Sequence, residues 1–193
     1  MAVDSEVTTM VIVKGTVDLN ALPAQVKESV EKEGIKEFGS CCCKNGRIKM
    51  RARMSKGAYA LGENLEIELD VDNSTRKTIK TIQAKFLERA TLVGYVGITS
   101  GSNIGMQEKM METKAVMIVR KQVNIPQHTQ QDVALSFVIP RIILPRVECS
   151  IIQTEHVIEL CVALARGGSA VICYLPIALG TIPLGESAPK TSL

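Results

Sequence analysis

Two histidines, six cysteines and two groups of basic residues are the side chains of this chain most able to do chemistry. His128 lies in I-P-Q-H-T-Q-Q, turn-like sequence beside Pro126, and reads as a solvated loop residue. His156 lies on the apolar parity of E-H-V-I-E-L-C-V-A-L, where a satisfied core or interface histidine is expected rather than a general base. The cysteines are Cys41, Cys42, Cys43, Cys149, Cys161 and Cys173. The run of three has no C-x-x-C spacing, and neither histidine stands at ligand distance from it in sequence. The chain opens on the polar stretch Met1–Glu6, and the V-I-V run at Val11–Val13 is too short for a secretory signal. Reduced thiols acting as small apolar fillers are therefore expected. A redox or acylation role for Cys41–Cys43 has only Lys44 nearby to depress a thiol pKa. Nucleophile elbows, zinc-protease helices, phosphate-binding loops and dinucleotide fingerprints are all missing from the sequence. No catalytic residue, cofactor or metal ligand is assigned, and the chain does not read as an enzyme.

Two basic groups remain. Lys44, Arg47, Lys49, Arg51, Arg53 and Lys56 form one stripe, which an acidic strand beside it is expected to neutralise. Arg76, Lys77, Lys80 and Lys85 have fewer acidic neighbours. They could attract a phosphoinositide headgroup or an anionic membrane, at about 1 kcal/mol per basic residue near the surface. A net charge of +3 is too small a bias to argue for nucleic acid, and 3% aromatic residues leave few stacking platforms. The longest apolar run, around Ile139–Leu144, contains Pro140 and Arg141 and is followed by Pro145, so no bilayer-length helix is expected. These observations point to a soluble cytosolic domain.

The elements that must position these groups are strands. R-I-K-M-R-A-R-M (Arg47–Met54) and N-L-E-I-E-L-D-V-D (Asn64–Asp72) alternate charged and apolar residues, the pattern of a strand with one face in a core. Gly57 and Gly62 between them suit a chain reversal. Folded antiparallel, Arg53 is expected to face Glu66, Arg51 Glu68, Lys49 Asp70 and Arg47 Asp72. Each exposed pair adds about 0.2–1 kcal/mol and together they would pin the register.

Val7–Val13 reads as a short strand, and Asp18–Phe38 as a polar linker punctuated by Gly34 and Gly39. Asn73–Lys77 reads as a polar turn, Thr78–Val93 as a long strand and Gly94–Gly105 as a flexible loop. Strands are expected at Glu112–Val123, Val133–Ile139, Glu155–Ala165 and Val171–Leu179, with turns at Gln127–Asp132 and Gly167–Gly168. Pro176 implies an edge position or a bulge. Seven to nine short antiparallel strands define an all-β, immunoglobulin-like sandwich, and the lack of Trp removes that class's central tryptophan. The expected organisation is an N-terminal strand and linker over 1–39, a sandwich over 40–185 and a flexible tail over 186–193.

Several segments, in order, resemble the C-terminal half of an arrestin. They are V-D-L-N at Val17–Asn20, C-C at Cys42–Cys43, G-A-Y-A-L-G-E at Gly57–Glu63 and D-N-S-T at Asp72–Thr75. R-I-I-L-P-R-V-E-C-S at Arg141–Ser150 and L-P-I-A-L-G-T-I-P at Leu175–Pro183 continue the series. The likeness runs from about Val11 to Gly185, and the order is that of the arrestin-domain-containing proteins, or α-arrestins. The resemblance implies a sandwich of the arrestin C-terminal type and a non-enzymatic adaptor role in endocytic sorting. Its partners would be transmembrane cargo and, where a P-P-x-Y tail is present, HECT-type ubiquitin ligases. It would act in the cytoplasm, peripherally at the plasma membrane or endosomes. Such proteins carry two sandwiches, whereas this chain has sequence for one and no P-P-x-Y around Tyr59, Tyr95 or Tyr174. Partner-binding elements are expected in exposed loops at Ser55–Gly62, Gly94–Gly105 and Arg166–Gly168, with Tyr59, Leu61, Tyr95 and Arg166 as candidate contacts.

Overall fold

From Asn64 to Asn73 every second side chain is buried, and the same period-two rule organises the whole molecule. The computed structural model of the protein describes residues 15–40, 43–96, 106–143, 149–164 and 171–185. Among these residues nine strands form: β1 (Val30–Ser40), β2 (Cys43–Met54), β3 (Ala58–Ala60), β4 (Asn64–Asn73), β5 (Ile79–Val96), β6 (Met106–Ile125), β7 (Thr129–Val138), β8 (Ile152–Leu164) and β9 (Val171–Gly180). One sheet has the order β1-β2-β4-β7 and the other β3-β9-β8-β5-β6. The all-β sandwich expected from the sequence is the fold found.

The core lies between the sheets. Ile48, Met50, Ala52 and Met54 of β2, Leu65, Ile67, Leu69 and Val71 of β4, and Val133, Leu135 and Phe137 of β7 face Ile82, Ala84 and Phe86 of β5. Ile158, Leu160 and Val162 of β8 and Val171, Cys173, Leu175 and Ile177 of β9 complete the opposite layer. With few aromatic residues, the interior is built from branched aliphatics and methionine. Each fully buried Val, Leu, Ile, Met or Phe side chain stabilises the fold by about 1.5–3 kcal/mol.

The structure departs from the sequence reading in four places. The expected linker holds a 3-10 turn (Leu19–Ala21), a short helix α1 (Ala24–Lys27) and the whole of β1. In β1 the inward parity carries Val30, Lys32, Gly34 and Lys36, opposite Met54, Ala52, Met50 and Ile48. That row holds Lys32, Gly34 and Lys36, so it carries no apolar alternation for a sequence reader to see. A Cβ on Gly34 would stand 2.9 Å from the carbonyl oxygen of Ile172, so this glycine lets β1 close against β9.

The charged strands pair two residues away from the expected register: Arg53 faces Glu68, Arg51 faces Asp70 and Lys49 faces Asp72. Their connection is no simple reversal, because β3 leaves for the second sheet before β4 returns. β3 also runs parallel to β9, so the pairing is not wholly antiparallel. Finally, β5 and β6 extend as a paired ribbon to Val96 and Met106, so part of the stretch expected as loop is strand. The expected strand at Val7–Val13, the turn at Gly167–Gly168 and the tail at 186–193 lie outside the described residues.

Pro176 occupies the edge-like position expected of it. It pairs with Val157 on one side, while β3 joins the other side of β9 only from Ala178. The polar turn after β4 is tied down by Asn73, which is fully buried. Its Nδ2 donates to the carbonyl oxygens of Lys77 (2.9 Å), Ile125 (3.2 Å) and Pro126 (2.9 Å), and its Oδ1 accepts from the Thr75 hydroxyl (2.7 Å). One side chain thus joins the β4–β5 turn to the β6–β7 turn, where His128 is exposed with a φ of 56°.

Candidate functional site

The outward face of the four-stranded sheet gathers the largest set of charged side chains. Because successive side chains alternate, β1 contributes Glu31, Glu33 and Glu37, and β2 contributes Arg47, Lys49, Arg51 and Arg53. β4 adds Glu66, Glu68, Asp70 and Asp72, and β7 adds Asp132 opposite Asp70. The basic strand is therefore flanked by acidic rows on both sides, and acids outnumber bases over the face. Its closest ion pairs reach to β1: Lys49 to Glu33 at 2.9 Å, Arg51 to Glu31 at 3.5 Å and Arg51 to Glu33 at 3.9 Å. Gln130 Nε2 donates to Asp70 at 2.7 Å. An open depression of about 580 Å³ runs over this face, lined by Glu31, Arg51, Arg53, Glu68, Asp70 and Asp132 together with Leu69, Val133 and Ala134. It presents charge of both signs at fixed positions on the sheet surface.

The second basic group does not converge. Arg76 and Lys77 are exposed in the β4–β5 turn, and Lys80 donates to Asn124 Oδ1 at 2.5 Å. Lys85 lies on the outward face of the other sheet, where its Nζ is 2.6 Å from Glu159 Oε1. The hydrogen bond that its ammonium donates to that carboxylate holds Lys85 above the ordinary lysine range.

Of the expected loop contacts, Tyr59 is a correction. It belongs to β3, is 2% exposed, and packs in the main core with Lys56 Nζ 4.9 Å above its ring. Pairing of β3 with β9 pulls this segment inside the sandwich, so its ring is not offered to solvent. Leu61 is half-buried against the same core, and its N–H donates to the carbonyl of Gly180 at 3.0 Å. Tyr95 lies in β5 opposite Gln107, with its side chain outside the described residues, as is Arg166 altogether.

His156 is a core residue, as its parity implied, but it is not satisfied. Its side chain is 1% exposed, Nε2 has no hydrogen-bond partner, and Glu88 Oε2 stands 3.6 Å away. The Phe86 ring lies against it at 5.9 Å between centroids. Burial pushes its pKa below the ordinary value, against the pull of Glu88. Burial likewise pushes the Cys161 and Cys173 thiols up, which keeps them protonated and unreactive at neutral pH. Cys149 is exposed and accepts the Ile152 N–H at 3.3 Å. Cys41 and Cys42 lie outside the described residues, as does the Cys43 side chain.

Sequence reasoning missed the β1 row of glutamates, because Glu31, Glu33 and Glu37 sat in an apparent linker. The signal was present as E-K-E-G-I-K-E, an alternation of sign with no apolar partner to frame it.

Two sheets, an aliphatic interior and charge spread over broad outer faces define an immunoglobulin-like β-sandwich. The family described as "Arrestin (or S-antigen), C-terminal domain" matches residues 44–184, and the chain belongs to that family. Among solved structures it is similar to Spo0M, a sporulation control protein from Bacillus subtilis. The likeness has 16% identity and a TM-score of 0.46, covering 69% of this chain. This chain spans 49% of the Spo0M chain, about half its length. Among the described residues no helix is long and apolar enough to cross a membrane.

Proposed function

We propose that the chain is an adaptor domain working without chemistry, which holds a cytoplasmic segment of a membrane-protein cargo on the outward face of the β1-β2-β4-β7 sheet. The observation that carries this reading is the match to the arrestin C-terminal domain over residues 44–184. The role is that of an α-arrestin at the plasma membrane or endosomes, with ligase recruitment left to any P-P-x-Y sequence outside these residues.

The character of the face supports the choice of ligand. Cytoplasmic segments next to membrane spans carry an excess of Lys and Arg. Glu31, Glu68, Asp70 and Asp132 around the depression complement such a segment, while Arg51 and Arg53 fix its register by repelling misplaced basic residues. Titrating the protein with fluorescent juxtamembrane peptides tests this directly. Basic peptides bind, and converting Glu68, Asp70 and Asp132 to Lys weakens binding about tenfold or more. Binding that ignores the three reversals overturns the assignment of the face.

A second reading, capture of an anionic headgroup, rests on Arg76 and Lys77, which stand exposed in one turn. Liposome binding unchanged after Arg76, Lys77, Lys80 and Lys85 are all made Ala rejects it.

A further inference from the structure

The outer edge of β6 carries a self-complementary charge pattern, and we propose that two copies of this chain join there, edge to edge, into one continuous sheet. Among the described residues no strand pairs with that edge, since β6 ends the order β3-β9-β8-β5-β6. From Lys109 to Ala115 every side chain is exposed, and Met110 and Met111 are 65% and 68% exposed. A regular ladder to β5 holds this stretch straight: Glu112 faces Ala90, Thr113 faces Arg89 and Lys114 faces Glu88. The bulge that interrupts the ladder falls only beyond it, between the pairs Leu87–Ala115 and Phe86–Met117. A long, regular, unpaired edge with exposed apolar side chains is a template for another strand.

The residues themselves select the occupant and the register. Two antiparallel copies related by a two-fold axis through the sheet keep their faces, so paired residues must share a face and the axis must pass through a residue position. An axis at Glu112 sets that carboxylate against itself, and an axis at Lys114 does the same for the ammonium. An axis at Met111 sets Glu112 against the partner copy's Met110. An axis at Thr113 sets Glu112 against the partner copy's Lys114, and Lys114 against its Glu112. Thr113 then faces Thr113, and Met111 faces Ala115. Lysines on an edge ordinarily block such pairing. Here Lys114 is answered by a glutamate at the symmetry-related position and ends up between its own Glu88 and the partner copy's Glu112, while Lys109 falls opposite the partner copy's Met117. The junction is short, so it is a weak, concentration-dependent dimer.

Sedimentation equilibrium on the 193-residue chain decides the matter. The wild type shifts from monomer to dimer as concentration rises. Glu112→Lys, whose neighbour in its own sheet is Ala90, places like charges opposite each other twice and weakens the dimer about tenfold or more. Lys114→Glu does the same, and an equimolar mixture of the two folded variants associates again, because each mismatched edge complements the other. A wild type that stays monomeric overturns the proposal. So does a Glu112→Lys variant that dimerises like the wild type, or a mixture of folded variants that stays monomeric.

Discussion

Buried polar residues hold this sandwich together in opposite ways. Asn73 is fully satisfied, bonding to three carbonyls and to Thr75, so it rigidifies one end of the fold. His156 is buried with no hydrogen bond at Nε2, and the Glu88 carboxylate stands 3.6 Å from it. Its folded-state pKa is depressed, mainly because burial disfavours the charged ring. Above the ordinary value of 6.5 the ring is neutral in both folded and unfolded chains, so it takes nothing from stability. As pH falls below that value, the unfolded chain takes up a proton that the folded chain resists, and stability drops by up to about 1.4 kcal/mol per pH unit. Urea unfolding at about pH 7.5 and about pH 5.5 shows this loss, and His156→Asn, though less stable overall, flattens the slope between them. An unchanged slope in the variant assigns the loss to other groups. The parity of His156 was legible in E-H-V-I-E-L; the carboxylate opposite it was not, since Glu88 lies far away in sequence and meets it only through the β5–β8 register.

At the scale of elements, strand identity and facing were written in the alternation, whereas register was not. R-I-K-M-R-A-R-M and L-E-I-E-L-D-V each presented the correct face, yet the pairing lies two residues from the one expected. Charge separates those registers only weakly, because a shift of two keeps Lys49, Arg51 and Arg53 opposite acids and moves only Arg47 off its acid, onto Ser74. The detour of the chain through β3 decides between them, and A-Y-A is too short and too weakly patterned to announce a strand of its own. Double-mutant cycles read the difference. Arg51→Glu with Asp70→Arg recovers more of the lost stability than Arg51→Glu with Glu68→Arg, by a few tenths to about 1 kcal/mol. The reverse order restores the register expected from sequence. β1 went unseen for a related reason: Lys32, Gly34 and Lys36 occupy its inward row, so only its pairing with β2 marks it as a strand.

As a whole molecule, the protein is a sandwich with two contrasting surfaces. One sheet presents a charged face with an acid-rich depression, and the other ends in the exposed edge of β6. The fold class and family resemblance were legible in the order of short motifs along the chain, and the arrestin C-terminal domain match over 44–184 agrees with them. The site was legible only in part, because its acidic rows come from three strands that the sequence does not show to be neighbours. The role proposed for this face is to receive cytoplasmic segments of membrane proteins. Proximity labelling in living cells, with the protein at its natural length, is the decisive measurement. Transmembrane proteins are expected to dominate the labelled set and to fall away when Glu68, Asp70 and Asp132 are converted to Lys. A labelled set of soluble proteins alone, or a transmembrane set that survives the three reversals, would contradict that role.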